Sequence, residues 1–254
     1  MHGSVRSGGR RSLSGIVSAQ QVSKHFGSFK ALDDVSFDLQ TGEIVGLLGL
    51  NGAGKSTTLS LLTGRMIADT GQISIAGHDI TEDRTDAQTQ FGFLPEGAPL
   101  FEDLSVDQHI KTISGLRGVE GSDQIDLVLE QFELLDVRHK IIETLSKGFK
   151  RRVALAAAFL GAPPILFLDE PTDGLDPVQK DRVLAQLRNA REQRTLLIST
   201  HSLEDVDVIC DRVIILNKGR KIFDAPVEEL APRGDALALK AAFNALIGAE
   251  EASV

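Results

Sequence analysis

Residues 49–57 read Gly-Leu-Asn-Gly-Ala-Gly-Lys-Ser-Thr, which fits the phosphate-binding loop pattern of a glycine, four residues, and then Gly-Lys-Ser. The largely apolar run before it, residues 43–48, is short enough to be a buried strand. The run after it can continue as a helix that ends at Gly64. This strand–loop–helix context predicts a nucleotide site and makes a chance Gly-rich turn a poor explanation.

The residue types in this loop suit a polyphosphate ligand. Glycine at positions 49, 52 and 54 lets the backbone approach a phosphate closely, and N–H groups at a helix N-terminus then point at the anion. Lys55 is expected to reach the β- and γ-phosphates, and Ser56 to offer its hydroxyl to Mg²⁺, which prefers hard oxygen ligands. The predicted nucleotide-binding residues of the loop are Asn51, Gly52, Ala53, Gly54, Lys55, Ser56 and Thr57.

Composition limits the class of protein. Of the 254 residues 42% are hydrophobic, so the chain can bury a sizeable core. A net charge of −9 argues against nucleic-acid binding by the chain as a whole. The single cysteine, Cys210, excludes an internal disulfide and is expected to be a buried small hydrophobic residue. No run approaches the ~18 apolar residues of a membrane span, and residues 1–15 are expected to form a disordered tail.

Strand-like and helix-like patterns alternate along the rest of the chain. Strands are predicted at residues 16–23, 31–39, 43–48, 71–75, 91–96, 165–168, 195–199, 213–216 and 221–223. Helices are predicted at residues 57–64, 147–160, 178–191, 202–210 and 236–249. Residues 24–27, which include Phe26, are expected to form a loop. The alternation predicts an α/β fold around a parallel sheet.

A helical insert interrupts this alternation between residues 105 and 143. Ser105 and Gln108 form a capping box before the apolar positions of one helix. Ser122 is positioned to cap a second helix. We therefore expect a mostly helical subdomain between the strand that ends near Glu96 and the strand that begins at residue 165.

Two adjacent acids follow a buried strand in the second half of the chain, because residues 165–168 are all apolar and run into Asp169 and Glu170. A carboxylate at the end of a buried strand beside a phosphate loop can hold Mg²⁺, directly or through water. A second carboxylate beside it can orient and deprotonate an attacking water. Asp169 is therefore the predicted metal-side residue and Glu170 the predicted catalytic base. A GTPase would also need Asn-Lys-x-Asp, and residues 217–220 lack its acid.

Four further motifs make the chain resemble the ATPase domains of ABC transporters. The family signature Leu-Ser-Gly-Gly-Gln is matched by Leu-Ser-Lys-Gly-Phe at residues 145–149. The family's D-loop is matched by Asp-Gly-Leu-Asp-Pro at residues 173–177, its switch histidine by His201, and its adenine-stacking aromatic by Phe26. The motifs keep the order and spacing of the family, and the resemblance covers roughly residues 16–230.

This resemblance implies a P-loop NTPase fold with a RecA-like core. An antiparallel β subdomain and a helical signature subdomain, at about residues 97–160, complete the ATPase domain at residues 16–230. Residues 231–254 are expected to form a C-terminal helix packed on that domain. The implied cofactors are ATP and Mg²⁺.

The resemblance also implies a mechanism that needs two domains. In this family two ATPase domains meet head to tail, and each ATP lies between one phosphate loop and the other domain's signature helix. Ser146 and the Gly148 backbone would touch the γ-phosphate of the partner's ATP. His201 would bind the γ-phosphate and position the water for Glu170. Hydrolysis would open the dimer. The residues expected at the dimer interface are Asp173, Gly174, Leu175 and Asp176.

Two departures from the family pattern change the charge. Glu96 stands where the family usually has Gln, and it is expected at the metal site together with Ser56 and Asp169. Its carboxylate adds negative charge there, so it should bind the metal more tightly, or take up a proton if the metal is absent. Lys147 is either a cation near the partner's γ-phosphate or a solvated lysine in a first helical turn. The Leu-Pro-Glu form resembles a subset of bacterial ABC-exporter ATPases, which includes those tied to gliding motility and to maturation of nitrous oxide reductase.

The implied partners are a second ATPase domain, either another copy or a paralogue, and a separate transmembrane permease subunit. The chain is then expected at the cytoplasmic face of the inner membrane. The groove for the permease's coupling helix is expected around Glu96, among Phe93, Leu94, Pro99, Leu100 and Phe101. The alternative is a non-transport ABC ATPase, an interaction or nucleic-acid-associated protein. Such proteins typically carry a long coiled-coil insert or tandem ATPase domains, and this sequence has neither, so no nucleic acid is expected.

Overall fold

The computed structural model describes residues 15–119 and 121–251, and two β-sheets organise them. The strands are β1 (Val17–Phe26), β2 (Phe29–Leu39), β3 (Ile44–Leu48), β4 (Thr70–Ile75), β5 (His78–Asp79), β6 (Phe91–Leu94), β7 (Ile165–Asp169), β8 (Thr195–Ser199), β9 (Arg212–Asn217) and β10 (Arg220–Pro226). The helices are α1 (Lys55–Leu62), α2 (Arg84–Thr89), α3 (Val106–Leu116), α4 (Ser122–Gln131), α5 (Lys147–Phe159), α6 (Pro177–Ala190), α7 (Leu203–Ile209), α8 (Val227–Leu230) and α9 (Ala236–Glu251).

The larger sheet has the strand order β10-β9-β3-β8-β7-β6. β3 pairs in parallel with β8 and β9, and β7 pairs in parallel with β6 and β8. β10 returns antiparallel to β9 through the turn at residues 218–219, where both residues have positive φ. Every residue of β3, β7 and β8 is buried, so these strands read as continuous apolar runs. The predicted α/β class is confirmed.

The smaller sheet is antiparallel, with the order β2-β1-β4-β5, and its inner face shares a core with α1. The predicted loop at residues 24–27 is wrong, because β1 runs on to Phe26. Phe26 pairs with Phe29 across a two-residue turn. Register shifts between residues 19 and 25 break the two-residue alternation, so the sequence pattern hides the last part of the strand.

Three helices, α3, α4 and α5, follow β6 and precede β7 in the chain, and they pack against one another as a layer. The capping box of α3 is confirmed. The Gln108 N–H donates to Ser105 Oγ at 3.2 Å, and the Ser105 N–H donates to Gln108 Oε1 at 2.9 Å. The predicted cap of α4 is wrong, because Gly121 holds the cap position with a φ of 103° and Ser122 is the first helical residue. Glycine adopts this φ readily, whereas serine does not.

Helix α5 lies directly against β6 at Gly92. A Cβ at Gly92 would be 1.8 Å from the carbonyl oxygen of Ala158, so only glycine permits this approach. The Arg117 guanidinium spans the same contact, donating to the carbonyl oxygens of Phe91 at 2.8 Å and Ala158 at 3.3 Å. The helical layer is thereby attached to the edge strand of the parallel sheet.

The C-terminal helix α9 packs against α7 and α8, with Leu239 and Ile247 in the main core. Cys210, directly after α7, is buried as expected, and a Cβ at Gly46 of β3 would be 3.2 Å from its Sγ. Within the described ranges, no helix is both long and apolar enough to cross a bilayer. Residues 1–14 of the predicted tail lie outside the described residues.

Candidate nucleotide-binding and catalytic site

The phosphate loop joins β3 to α1 and is tightly packed at both ends. A Cβ at Gly49 would be 2.5 Å from the Leu216 carbonyl oxygen, and one at Gly54 would be 2.8 Å from the Ala31 carbonyl oxygen. Gly52, in the middle of the loop, has no heavy atom within 4 Å of the corresponding position. The loop is thus fixed to the core at its ends and open between them.

The Lys55 side chain is buried beneath this loop. Its Nζ donates to the carbonyl oxygens of Gly49 at 2.8 Å and Leu50 at 3.3 Å. Burial lowers the pKa of Lys55, and the three carboxylates of the site oppose that change. The loop therefore combines backbone N–H groups with a fixed cation, which is what a polyphosphate requires.

Asp169 ends β7 and lies buried at the floor of the site. Burial raises the pKa of Asp169 above its ordinary range. The carboxylates of Glu96 and Glu170 raise this pKa further, whereas the hydroxyls of Ser199 and Ser56 lower it. Three carboxylates thus share one small region, and a divalent cation there would relieve their repulsion.

Ser56 and Asp169 form a hydroxyl–carboxylate pair that can hold Mg²⁺, because both offer hard oxygen ligands and the Ser56 hydroxyl lies close enough to lower the pKa of Asp169. In the described part of the chain, no group of three or more His, Cys, Asp and Glu side chains converges as a metal site. Mg²⁺ commonly takes one or two protein ligands and completes its shell with phosphate and water oxygens, so this pair fits it. Glu96 lies two residues beyond the end of β6, not in the strand, and lines the same cavity.

Glu170 and His201 meet at the ends of neighbouring parallel strands. His201 Nδ1 lies 3.0 Å from Glu170 Oε1. The Glu170 side chain is 16% exposed and the His201 side chain 65% exposed. Glu170 has a positive φ of 50°, which is uncommon for a non-glycine residue, and its N–H donates to the Ser199 carbonyl oxygen at 2.9 Å. The two predicted catalytic residues are therefore in contact.

A cavity of about 300 Å³ connects the loop, the carboxylates and two aromatic rings. Phe26 and Phe29 face this cavity from the tip of the β1–β2 hairpin, and both are exposed. Phe29 is a lining residue that the sequence analysis missed. The two-residue turn sets Phe29 opposite Phe26 and could have indicated that Phe29 lines the cavity. The prediction of a loop at residues 24–27 conceals that pairing.

The signature residues lie apart from this cavity. Ser146 caps α5, and its Oγ accepts a bond from the Phe149 N–H at 3.4 Å. Gly148 is buried against another side chain, because a Cβ there would be 1.4 Å from Gln179 Oε1. Neither Ser146 nor Gly148 lines the nucleotide cavity of its own chain. Phe149, where the family signature has Gln, lies under the Arg152 guanidinium at 4.3 Å from its ring centroid.

The residues expected at the dimer interface form a turn between β7 and α6. Leu175 is half-buried, and the other three are exposed, namely Asp173, Gly174 and Asp176. Asp176 also caps α6, since its Oδ1 accepts a bond from the Gln179 N–H at 3.0 Å. Arg151 of α5, another residue missed from sequence, donates to the Asp173 carbonyl oxygen at 3.3 Å. The signature helix therefore contacts this turn within one chain.

Two further cavities border the site. One, of about 360 Å³, lies between the sheet and the helical layer, and Phe93, Leu94, Pro99 and Leu100 line it together with Arg65 and Arg117. Phe101, expected in this groove, instead contacts the His109 ring with centroids 5.4 Å apart. The other cavity, of about 520 Å³, lies on the opposite side of the phosphate loop, between Leu50, Asn51, His201, Leu203 and Phe243.

Known proteins are similar to this chain in sequence. The family model described as ABC transporter matches residues 32–173. The probable multidrug ABC transporter ATP-binding protein YbhF of Escherichia coli is 34% identical over 219 residues, which are 85% of this chain and 38% of YbhF. The linearmycin resistance ATP-binding protein LnrL of Bacillus subtilis is 32% identical over 222 residues, which are 86% of this chain and 71% of LnrL. The chain thus spans well under half the length of YbhF.

Solved structures agree with the fold. An ATP-binding subunit of an ABC transporter has a TM-score of 0.82 and 30% identity, with 91% of this chain and 98% of that chain covered. A dimeric post-hydrolysis structure of the ATP-binding cassette MJ0796, bound to ADP and Pi, has a TM-score of 0.75. Its identity is 23%, with 83% of this chain and 98% of that chain covered, so it supports the fold alone. From the matched family model and these relatives, the chain belongs to the ABC transporter family of ATP-binding proteins.

Proposed function

We propose that this chain is the ATP-hydrolysing subunit of an ABC exporter, in which two ATPase domains close head to tail on ATP and drive a separate membrane subunit. One observation carries the proposal. The nucleotide cavity is lined without any signature residue, whereas Ser146 and Lys147, at the start of the signature helix, lie exposed outside that cavity. A site whose second half comes from another domain accounts for both the open cavity and the exposed signature.

The start of α5 suits an anion that arrives from outside. Its first turn has no acidic residue and carries the exposed Lys147. Because a helix N-terminus is the positive end of the helix dipole, a lysine there is unfavourable until an anion binds. The Ser146 hydroxyl and the Gly148 N–H lie in the same turn, where they would receive the γ-phosphate of the partner's ATP.

Within one chain, the residues of the phosphate loop bind the nucleotide. Lys55 and the N–H groups of residues 51–57 hold the phosphates, and Phe26, with Phe29 beside it, stacks on the base. Ser56, Asp169 and Glu96 supply the oxygen ligands for Mg²⁺. The ion would supply positive charge that offsets the negative charge of the phosphates.

Glu170 and His201 act on the water and on the γ-phosphate. Glu170 accepts a proton from the water that attacks the γ-phosphorus atom, while the bond from that phosphorus to the β–γ bridging oxygen breaks and ADP leaves. When both ring nitrogens carry a proton, His201 donates from Nδ1 to the Glu170 carboxylate and from Nε2 to a γ-phosphate oxygen. The turn at residues 173–176 contacts the partner's phosphate loop, so loss of the γ-phosphate in one site is communicated to the other domain.

The names of the relatives favour export of a small molecule, because one is called a probable multidrug transporter protein and the other a resistance protein. The Leu-Pro-Glu form of residues 94–96 favours the same direction. The membrane subunit would contact the groove formed by Phe93, Leu94, Pro99 and Leu100, an apolar surface between the two layers. This contact would hold the chain at the cytoplasmic face of the membrane.

The experiment is light scattering on size-exclusion chromatography with the Glu170→Gln variant, with and without Mg-ATP. Loss of the base should block hydrolysis and trap the closed pair, so a monomer should become a dimer only with Mg-ATP. Lys55→Ala in the same background should abolish the dimer, because it removes the cation beneath the phosphates. A Glu170→Gln variant that hydrolyses ATP at the wild-type rate would contradict the proposal.

A Glu170→Gln variant that binds ATP but stays monomeric would point to a paralogue as the partner, and co-purification with neighbouring gene products would identify it. A captured partner without membrane-spanning segments would instead favour a non-transport ABC ATPase. This sequence carries the phosphate loop, the signature and the switch histidine together, so a pair of identical copies is the first possibility to test.

A further inference from the structure

A buried carboxylate joins the two candidate catalytic segments. Asp205, in the first turn of α7, is 3% exposed. Its Oδ2 accepts a hydrogen bond from Thr172 Oγ1 at 2.5 Å, two residues after Glu170. Its Oδ1 accepts a hydrogen bond from Ser202 Oγ at 2.8 Å, next to His201. One side chain therefore connects the turn after β7 with the turn after β8.

The same carboxylate also holds α6. Lys180 of α6 forms an ion pair with Asp205 Oδ1 and donates to Ser202 Oγ at 3.2 Å. Helix α6 begins directly after the turn at residues 173–176. The carboxylate thus has partners on three segments, and each of these segments carries residues proposed for hydrolysis or dimer contact.

We propose that Asp205 is a positioning residue for ATP hydrolysis, which holds Glu170 and His201 in the register of their 3.0 Å contact. This inference rests on the proposed roles of Glu170 and His201. The His201 side chain is largely exposed, so its position depends on the backbone around it. That backbone is fixed on both sides, because the Ser202 N–H donates to Thr200 Oγ1 at 3.0 Å and the Ser202 hydroxyl donates to Asp205.

Both the charge of Asp205 and the hydroxyl groups that donate to it contribute to holding the two turns together. Asp205 faces two hydroxyl donors and one ammonium, and an ionised carboxylate accepts from all three. An amide in its place has one acceptor oxygen, and its NH₂ group would face a donor. The turns after β7 and β8 could then shift relative to each other, and a shift of about 1 Å at a catalytic group can cost on the order of 100-fold in rate.

The test compares four variants of the full chain in steady-state ATP hydrolysis, at a temperature well below unfolding. Thr172→Val removes the hydroxyl, and Thr172→Ser keeps it. Asp205→Asn removes the charge, and Glu204→Gln is the matched control, since Glu204 is 81% exposed and lies 3.8 Å from Lys180. We expect Thr172→Val and Asp205→Asn to lower kcat about tenfold or more, with the KM for Mg-ATP within about twofold of wild type. Thr172→Ser and Glu204→Gln should stay near wild type.

Two outcomes overturn the inference. One is wild-type kcat in Thr172→Val. The other is a Thr172→Ser variant as slow as Thr172→Val, which would assign the effect to packing of the methyl group. If Asp205→Asn does not fold, the comparison of Thr172→Val with Thr172→Ser is sufficient to test the inference. A Glu170→Gln variant with wild-type turnover would instead overturn the proposed function, so the two failures are distinguishable.

Discussion

At the scale of the residue, the carboxylate of Asp169 is held where its charge is unfavourable. It is buried, and the carboxylates of Glu96 and Glu170 lie close enough to raise its pKa further. These are the surroundings expected of a metal-side residue without its metal. A divalent cation would neutralise the cluster, so the cost of the unbound state becomes part of the driving force for Mg²⁺ binding.

Asp169→Asn should therefore raise the thermal stability of the metal-free protein at neutral pH. An acid whose folded-state pKa is raised binds more protons when folded than when unfolded, so the stability of the wild type falls as pH rises from about 3.9 through the raised value. Asp169→Asn has no ionisable group at this position, so its stability does not fall with pH for this reason. We expect its Tm advantage in EDTA to grow with pH and to reach about 2–4 °C at pH 7, the shift that roughly 1 kcal/mol produces at this size.

Thermal melts in EDTA and in Mg²⁺ with ATP check this prediction. Mg²⁺ with ATP should raise the Tm of the wild type more than that of Asp169→Asn. A variant that is less stable than the wild type in EDTA at pH 7 would show that the carboxylate is favourably solvated or paired, contrary to its burial.

At the scale of the element, β6 and α5 pack closely together because Gly92 has no side chain. Gly92→Ala should lower the free energy of unfolding by roughly 3 kcal/mol, because the added Cβ meets the Ala158 carbonyl oxygen at 1.8 Å and backbone has to move. Gly115→Ala is the matched control, since Gly115 lies within α3 with no atom near the new Cβ. It should be neutral or stabilising by about 0.4–1 kcal/mol. Urea unfolding measures both, and equal midpoints for the two variants would refute the steric argument.

Elements set by local chemistry were predictable from sequence, and those set by tertiary pairing were not. The capping box of Ser105 and Gln108 involves only residues that are close together in the chain. The buried strands β7 and β8 can be recognised in the sequence as largely apolar runs. The cap of α4 depends on a backbone angle at Gly121 that Ser122 conceals. The end of β1 depends on pairing with β2, and register shifts hide that pairing.

The same distinction applies to the site. The phosphate loop, Asp169 and Glu170 follow from residue types next to each other in sequence. His201 was expected from the family resemblance to bind the γ-phosphate and to position the water for Glu170, whereas its 3.0 Å contact with Glu170 Oε1 was not predicted. Asp205 carries no motif of its own, because its partners Thr172 and Ser202 converge on it only when β7 and β8 lie side by side.

At the scale of the whole molecule, the charge of −9 opposes the approach of two copies. Salt screens like charges that lie more than about 10 Å apart at 0.1 M, so the ATP-dependent dimer of Glu170→Gln should strengthen with salt. We expect a dissociation constant several-fold lower at about 0.3 M than at about 0.03 M NaCl, measured by sedimentation at constant Mg-ATP. A dimer that weakens with salt would show that local contacts, such as Lys147 with the partner's phosphate, outweigh the overall repulsion.

The buried position of Cys210 makes the molecule convenient for labelling. It is the only cysteine in the chain, it is enclosed beneath β3, and burial raises the pKa of its thiol, so little reactive thiolate is present in the folded protein. Maleimide and disulfide reagents should spare it without any substitution. A single cysteine introduced at an exposed position such as Asp173 would then carry a fluorophore or spin label alone, and the opening and closing of a pair could be followed in real time.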